Sequence, residues 1–227
     1  DSFFNSAYEK GDIYTKEIEQ LFDEQKNIFL SDRFVKGECP SCGAKDQYGD
    51  ACEVCGKTYD ALDLKNPYST LSNSEPVIKK SKHYFFKLNN FKEFLNETVS
   101  EISNQDPIKE KLKEWFDSGL KDWDISRDEP YFGFKIPNED SKYLYVWLDA
   151  PIGYLSSIKN WCDSKNIDFN DFINDSKIVH FIGKDIVYFH LLFWPATLKA
   201  ANFPIPNEVY VHGFLTVEGE KLSLIHI

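Results

Sequence analysis

Four of the five cysteines form two C-x-x-C pairs with nine residues between them, and no other feature constrains the fold of this chain as tightly. The pairs are Cys39-Pro-Ser-Cys42 and Cys52-Glu-Val-Cys55. Two such turns can direct four thiolates at one point, which is the tetrahedral environment that Zn²⁺ takes with Zn–S bonds of ~2.3 Å. The alternatives are two disulfides or four unrelated buried thiols, but disulfides are rare in reducing compartments. We therefore predict one structural Zn²⁺ per chain, in a knuckle at about residues 35–60.

The composition of the 227 residues is that of a folded protein, with 42% hydrophobic and 16% aromatic residues. The net charge of −11 disfavours a nonspecific nucleic-acid binder, although a local basic patch is compatible with it. No apolar run approaches the roughly 20 residues that a membrane helix needs, so we expect a cytoplasmic protein. The chain contains no methionine and begins at Asp1, which predicts a piece of a longer protein.

From residue 143 onward, predicted strands and helices alternate. The predicted strands are Tyr143–Leu148, Ile178–Ile182 and Glu208–His212, and the predicted helices are Ile152–Cys162 and Val187–Ala201. This alternation indicates a parallel, doubly wound α/β sheet whose other strands lie upstream. Cys162 is expected to be a buried packing thiol. Near the start of the chain, residues 3–30 have spacing that predicts helices and turns.

Aromatic side chains gather where the first of these predicted strands meets its helix. Trp147, Ala150, Pro151 and Tyr154 lie there, with Tyr154 one helical turn beyond Ala150. Together they predict a flat apolar wall with polar tips, suited to an aliphatic or thioether group. Ordinary core packing is the competing interpretation.

The second strand-to-helix junction contains Gly183, Asp185, Ile186 and His190. Gly183 permits a close approach to the backbone, and a carboxylate at this position can accept ribose hydroxyls. Ile186 and His190 lie on one helical face. An N-cap aspartate and a hydrogen-bonded core histidine are the competing interpretations.

Two basic residues are candidates for binding anions. Arg127 lies between Asp124 and Asp128, where it either pairs with those carboxylates or holds a ligand carboxylate or phosphate. Lys221 follows a Gly-Glu turn and is either a phosphate contact or a solvated surface lysine.

These segments together resemble the methionyl-tRNA synthetase family of class I aminoacyl-tRNA synthetases. The motifs that carry the resemblance are Phe29-Leu30-Ser31-Asp32-Arg33-Phe34-Val35-Lys36-Gly37, the cysteine knuckle, Trp123-Asp124-Ile125-Ser126-Arg127-Asp128, Trp147–Tyr154, Phe181–His190, Val211-His212-Gly213 and Gly219-Glu220-Lys221-Leu222-Ser223. The implied fold is the second half of a class I Rossmann fold plus an inserted α+β connective domain. Residues 1–144 would form the connective domain, residues 145–219 the Rossmann half, and residues 220–227 the start of the KMSKS loop.

The resemblance also implies an activity, the ATP-dependent activation of L-methionine to methionyl-adenylate and its transfer to tRNA(Met), with Mg²⁺ accompanying ATP. The implied methionine pocket is formed by Trp147, Ala150, Pro151, Tyr154, Ile186 and His190. The implied ATP contacts are Gly183, Asp185, His212, Gly213 and Lys221. The implied catalytic residues are Arg127, Asp185 and Lys221.

The sequence departs from the family pattern at both ends. The HIGH motif is absent, and Leu224 and Ile225 stand where the second lysine and final serine of KMSKS belong. We therefore expect these 227 residues alone to show no ATP–pyrophosphate exchange. Two alternatives stay open, namely another class I synthetase for leucine, isoleucine or valine, and a non-catalytic zinc-ribbon module that binds RNA or protein.

Overall fold

A computed structural model describes residues 2–213 of the chain, together with the backbone of residues 216–217 and 220–221. The helices are α1 (Ser2–Glu9), α2 (Lys92–Ile102), α3 (Asp106–Ser118), α4 (Val146–Asp149), α5 (Ile152–Lys165), α6 (Phe169–Asp175) and α7 (Trp194–Ala200). The strands are β1 (Ile13–Asp23), β2 (Ile28–Phe29), β3 (Val35–Glu38), β4 (Gln47–Tyr48), β5 (Lys65–Ser69), β6 (Val77–Phe86), β7 (Trp123–Asp124), β8 (Ser126–Asp128), β9 (Lys142–Leu144), β10 (Val179–Gly183), β11 (Glu208–His212), β12 (Thr216–Val217) and β13 (Glu220–Lys221).

The chain divides into two compact units, and each of them is discontinuous in sequence. The first unit comprises Asp1–Tyr14, Phe85–Ile125 and Tyr145–Ile227. The second unit comprises Thr15–Tyr84 and Ser126–Leu144. The division into a connective domain at residues 1–144 and a Rossmann half at 145–219 stays a prediction.

In the first unit, β10 and β11 form a parallel pair that runs from Val179 opposite Glu208 to Gly183 opposite His212. Both strands therefore end at the same edge, which is where ligands bind in open α/β sheets. A cluster of buried apolar residues supports the helices of this unit, and its members are Phe3, Leu155, Ile173, Trp194 and Leu198. Phe3 stacks on Phe203 with ring centroids 4.7 Å apart. Cys162 is fully buried, as predicted.

A single helical segment leads from β10 into the core of the first unit. It begins with a 3₁₀ turn at Lys184–Ile186, passes through a π turn at Phe189–Phe193 and continues as α7. π turns are rare in proteins and often occur at functional sites. Here the π turn contains His190.

The second unit is built from short antiparallel ladders. Strand β3 pairs with both β4 and β5, and β8 pairs with β9. Leu21, Leu30, Val35 and Leu64 form its buried apolar cluster. None of these four residues lies between Cys39 and Cys55.

Two sequence predictions are wrong. Tyr143–Leu148 is not one parallel strand, because β9 ends at Leu144 after pairing antiparallel with β8, and Val146–Asp149 is a helical turn. Trp147 therefore lies on a helix rather than at a strand end. The second error is the helical prediction for residues 3–30, since α1 ends at Glu9 and the eleven-residue strand β1 follows. The predicted α5, β10 and β11 are confirmed, with ends shifted by up to three residues.

Among the described residues, no helix combines the length and the apolar character needed to span a bilayer.

Candidate functional site

Tyr154 and His190 form a polar contact within the first unit. The Tyr154 hydroxyl lies 3.2 Å from His190 Nε2, and His190 Nδ1 lies 3.2 Å from the Ile186 carbonyl oxygen. A carbonyl only accepts, so Nδ1 carries the proton, and Nε2 of the neutral ring accepts from the hydroxyl. His190 is buried, while Tyr154 is 44% exposed. The tyrosine oxygen is thus left as an acceptor at the surface of the site.

Burial keeps this histidine neutral. It lowers the pKa of His190, although the hydrogen bond to the Ile186 carbonyl opposes the shift. A second histidine, His180, has its pKa lowered to about 4 by burial and by the neighbouring His190. The two imidazole rings lie edge to face with centroids 5.6 Å apart. At neutral pH this part of the site therefore carries no imidazolium charge.

Trp147 extends the aromatic surface. Its ring stacks on Phe189, with centroids 4.7 Å apart and planes at 15°. Phe189 directly precedes His190 in the π turn, so one helical segment joins the Trp147 stack to the Tyr154–His190 pair. Ala150 is exposed and Pro151 is buried at the start of α5.

The carboxyl ends of β10 and β11 bring a second set of predicted residues together. Gly183 lies opposite His212 in the parallel register. A Cβ on Gly183 would lie 2.7 Å from Asp185 Oδ1 and 4.0 Å from His212 Cε1, so a larger residue here would displace this carboxylate from its present position. Asp185, His212 and Gly213 are exposed. We call Gly183, Asp185, His212 and Gly213 the strand-end corner.

The structure argues against the N-cap interpretation of Asp185. The N-cap position of the turn at Lys184–Ile186 is occupied by Gly183, and Asp185 lies within the turn. Ile186 provides the carbonyl that accepts from His190. The segment 183–190 thus contributes both to the strand-end corner and to the aromatic surface.

A cavity of about 590 Å³ adjoins Tyr154. His180 and Trp194 also line it, and apolar residues of α5, α6 and α7 supply much of the remaining wall. His180 Nε2 and Trp194 Nε1 are buried and have no hydrogen-bond partner among the described residues.

In the second unit, the four predicted cysteine ligands converge. All four Sγ atoms lie within 4.8 Å of one another, with Cys39–Cys55 at 3.8 Å and Cys42–Cys52 at 3.6 Å. These separations exceed the ~2.05 Å of a disulfide. They are close to the ~3.8 Å that tetrahedral geometry requires between sulfurs bound at ~2.3 Å to one ion.

The two cysteine turns have the same internal hydrogen bonds. Gly43 N–H donates to the Cys39 carbonyl and Gly56 N–H to the Cys52 carbonyl, at 3.0 and 2.8 Å. Both glycines have positive φ, +73° and +71°, which glycine adopts without strain.

Backbone N–H groups also point at the sulfurs. Those of Cys42 and Cys55 lie 3.5 and 3.4 Å from Cys39 Sγ and Cys52 Sγ. Burial alone would raise the pKa of the Cys39 thiol, but the N–H groups of Cys42 and Ser41 outweigh burial and lower the pKa to about 6. The donor set fits a metal ion such as zinc, and four thiolates would fill its coordination shell.

A buried charged network lies beside Arg127 on β8. The Asp128 carboxylate accepts hydrogen bonds from His83 Nε2 at 2.8 Å, from Ser81 Oγ at 2.9 Å and from the Lys142 ammonium. Burial alone would raise the pKa of Asp128, but the bonds from His83 and Lys142 outweigh burial and lower the pKa to about 2. The side chains of Lys142 and Asp128 are only 8% and 11% exposed. This network joins β6, β8 and β9 within the second unit.

The two basic candidates, Arg127 and Lys221, belong to different units of the chain. Arg127 lies in the second unit, where its guanidinium donates to the Ser126 carbonyl at 2.6 Å. Its proposed approach to the ligand stays a prediction. Lys221 pairs through its backbone with Thr216, and its side chain lies outside the described residues, as do Leu224 and Ile225.

Sequence reasoning missed three residues that define the site. Phe189, His180 and Trp194 contact Trp147, Tyr154 or His190 through space. Trp194 follows His190 by four residues, so helical spacing could have identified it. The stack of Phe189 on Trp147 and the approach of His180 depend on packing between elements.

Comparison with known proteins finds relatives that match nearly the whole chain. A methionine–tRNA ligase of Psychrobacter cryohalolentis is 56% identical over 228 residues, which cover 94% of this chain and 33% of that protein. A methionine–tRNA ligase of Vesicomyosocius okutanii is 52% identical over 225 residues, covering 98% of this chain and 41% of that protein. The chain thus spans between a third and two-fifths of the length of these relatives.

Solved structures show the same fold at low sequence identity. The Mycobacterium tuberculosis methionyl-tRNA synthetase bound by methionyl-adenylate matches 99% of this chain and 39% of its own, with a TM-score of 0.63 and 19% identity. Its apo form matches 94% of this chain and 38% of its own, with a TM-score of 0.61 and 20% identity. The family model described as tRNA synthetases class I (M) matches residues 1–225. The chain therefore belongs to the class I tRNA synthetase family of methionyl type.

Proposed function

We propose that this chain forms part of a methionine–tRNA ligase that acts in translation. In the proposed reaction, a carboxylate oxygen of L-methionine attacks the α-phosphorus of ATP, and the bond to the departing pyrophosphate breaks. A ribose hydroxyl at the end of tRNA(Met) then attacks the carbonyl carbon of methionyl-adenylate, and AMP leaves. A cytoplasmic location remains the prediction made from the sequence.

One observation carries the proposal. The continuous segment 183–190 contributes Gly183 and Asp185 to the strand-end corner and His190 to the aromatic surface. A ligand with a nucleoside at one end and an apolar side chain at the other would span this segment. An aminoacyl-adenylate has that composition.

The aromatic surface is suited to a thioether. Aromatic contacts to sulfur contribute roughly 0.3–1.5 kcal/mol each. We assign the methionine side chain to the surface formed by Trp147, Ala150, Pro151, Tyr154, Ile186 and His190. The neutral His190 and the acceptor oxygen of Tyr154 add no positive charge that would favour an acidic side chain instead.

The strand-end corner supplies the nucleotide contacts. We assign the ribose hydroxyls to Asp185, the close backbone approach to Gly183, and the adenine to His212 and Gly213. Arg127 and Lys221 are assigned to the carboxylate and phosphates, where cations stabilise developing charge. Bound Mg²⁺ would neutralise part of the phosphate charge.

The metal held by Cys39, Cys42, Cys52 and Cys55 is proposed to be a single structural Zn²⁺. Four thiolates leave no open position for water or substrate. Its contribution would be to the folding of the second unit.

The test uses a chimaera in which residues 1–223 of this chain replace the matching segment of the Psychrobacter cryohalolentis ligase, so that the host ligase supplies the residues after Ser223. We expect ATP–pyrophosphate exchange with L-methionine and little exchange with leucine, isoleucine or valine. Preference for one of those three would assign the chain to another class I specificity. RNA binding without any exchange would favour the zinc-ribbon alternative.

Trp147→Ala in this chimaera is expected to raise the KM for methionine about tenfold, because it removes an aromatic contact to sulfur and part of the apolar wall. The KM for ATP should stay within about twofold. The matched control is Trp161→Ala, on α5, because that indole is 45% exposed. Equal increases in both KM values, or an equal effect of the control, would contradict the assignment.

A further inference from the structure

The side chain of Gln105, immediately before α3, is hydrogen-bonded to the backbone of β11. Val211 N–H donates to Gln105 Oε1 at 2.7 Å, and Gln105 Nε2 donates to the Val211 carbonyl oxygen at 2.8 Å. A neighbouring strand residue makes the same pair of bonds in an antiparallel ladder. The carboxamide thus takes the place of one residue of a further strand.

A carboxamide side chain can make both bonds, whereas an ionised carboxylate or a hydrocarbon side chain cannot. The Val211 N–H needs an acceptor and its carbonyl needs a donor, and asparagine and glutamine offer both groups on one plane. Gln105 is itself held in place, because its backbone carbonyl oxygen accepts hydrogen bonds from the backbone N–H groups of Ile108 and Lys109, at 3.0 and 3.1 Å. These bonds belong to the first turn of α3. The amide is therefore attached to a helix end rather than to a mobile loop.

The contact lies next to the strand-end corner. Val211 directly precedes His212, and β11 is paired on its other side with β10 through Gly183 opposite His212. The last residues of β11 are thus fixed between β10 and Gln105. A lateral shift of β11 at Val211 would move His212 and Gly213 relative to Gly183 and Asp185.

We propose that Gln105 is a positioning residue for nucleotide binding, acting through Val211 on His212 and Gly213. This inference rests on the proposed function, which assigns the strand-end corner to ATP. The effect of Gln105 is transmitted by the backbone of β11, through its two hydrogen bonds to Val211. It determines how well the corner fits the nucleotide and leaves the methionine surface unaffected.

The test compares Gln105→Met and Gln105→Glu in the chimaera. Methionine keeps the length of the side chain and loses both bonds, whereas glutamate keeps the acceptor for Val211 N–H and cannot donate to its carbonyl when ionised. We expect both variants to raise the KM for ATP, Gln105→Met by about tenfold, because small misplacements remote from the chemistry weaken positioning. The KM for methionine should change by less than about twofold.

The matched control is Gln25→Met, at an exposed glutamine of the second unit. Hydrogen exchange should show faster exchange of the Val211 amide in Gln105→Met, with α5 protected as in the parent. An unchanged KM for ATP, or equal increases in both KM values, would overturn the positioning role while leaving the proposed function intact. A parent chimaera without methionine-dependent exchange would overturn the proposed function, and this inference with it.

Discussion

Cys39→Ser is expected to release the bound metal and to unfold the cysteine segment. The metal ligands account for much of the burial in this segment, since Val54 is 72% exposed and the apolar cluster of Leu21, Leu30, Val35 and Leu64 lies in the flanking residues. Structural zinc sites in small domains contribute roughly 10–16 kcal/mol of apparent binding free energy. Metal content measured by mass spectrometry should fall from one ion per chain to nearly none. Amide exchange should accelerate across residues 38–58.

Cys162→Ser is the matched control for this experiment. It is the same chemical change, at a buried thiol on α5 in the first unit. This variant should keep one metal ion per chain even if the packing around α5 is weakened. Retention of a tightly bound ion by Cys39→Ser, or its loss from Cys162→Ser, would contradict the four-cysteine site.

Asp128→Ala is expected to destabilise the second unit by roughly 3–5 kcal/mol, the usual cost of removing one partner of a buried ion pair. The substitution removes the carboxylate paired with Lys142, whose side chain is only 8% exposed. Hydrogen exchange of β8 and β9 in increasing urea measures the effect. All five tryptophans lie in the first unit, so their fluorescence follows that unit separately.

Two further variants sharpen this prediction. Asp140→Ala removes an exposed carboxylate of the same unit and should have little effect. Adding Lys142→Met to Asp128→Ala removes the lysine charge that has lost its partner. The double variant should recover part of the stability lost in Asp128→Ala. An Asp128→Ala effect no larger than that of Asp140→Ala would show that the network contributes nothing to stability.

The same network predicts how stability depends on pH. The pKa of Asp128 is lowered to about 2 in the folded chain, and an unfolded aspartate titrates near ~3.9. Its contribution is therefore fully present above the unfolded value and is lost as the pH falls from about 4 to about 2. Asp128→Ala should flatten the stability profile in that window.

Features that depend on residues close together in sequence, such as the cysteine cluster and the parallel strands, were predicted from the sequence. The cysteine spacing identified the four sulfurs that converge, because each C-x-x-C turn closes within a few residues. The two parallel strands were also predicted, the second ending at His212 as observed and the first ending one residue early, at Ile182, since short apolar runs followed by glycine are typical of buried parallel strands. Gly183 and Asp185 were identified from the first strand end, whereas His212 and Gly213 were implied by the family resemblance.

Long-range packing accounts for the errors. Ile18, Leu21 and Phe22 have helical spacing, but pairing with other strands places them in β1. The apolar run that includes Trp147 fits a strand equally well by composition, and its ladder with β8 ends at Leu144. The contact of Gln105 with Val211 joins residues 106 positions apart, and no local pattern indicates it.

The interleaving of the two units has a consequence for synthesis on the ribosome. The second unit lacks β8 and β9 until residue 144 has been added, and the first unit lacks its parallel strands until later still. The four thiols, by contrast, lie close together early in the chain, where closing a short loop costs little entropy. Capture of an ion by these thiols would therefore be able to precede the completion of either unit during synthesis.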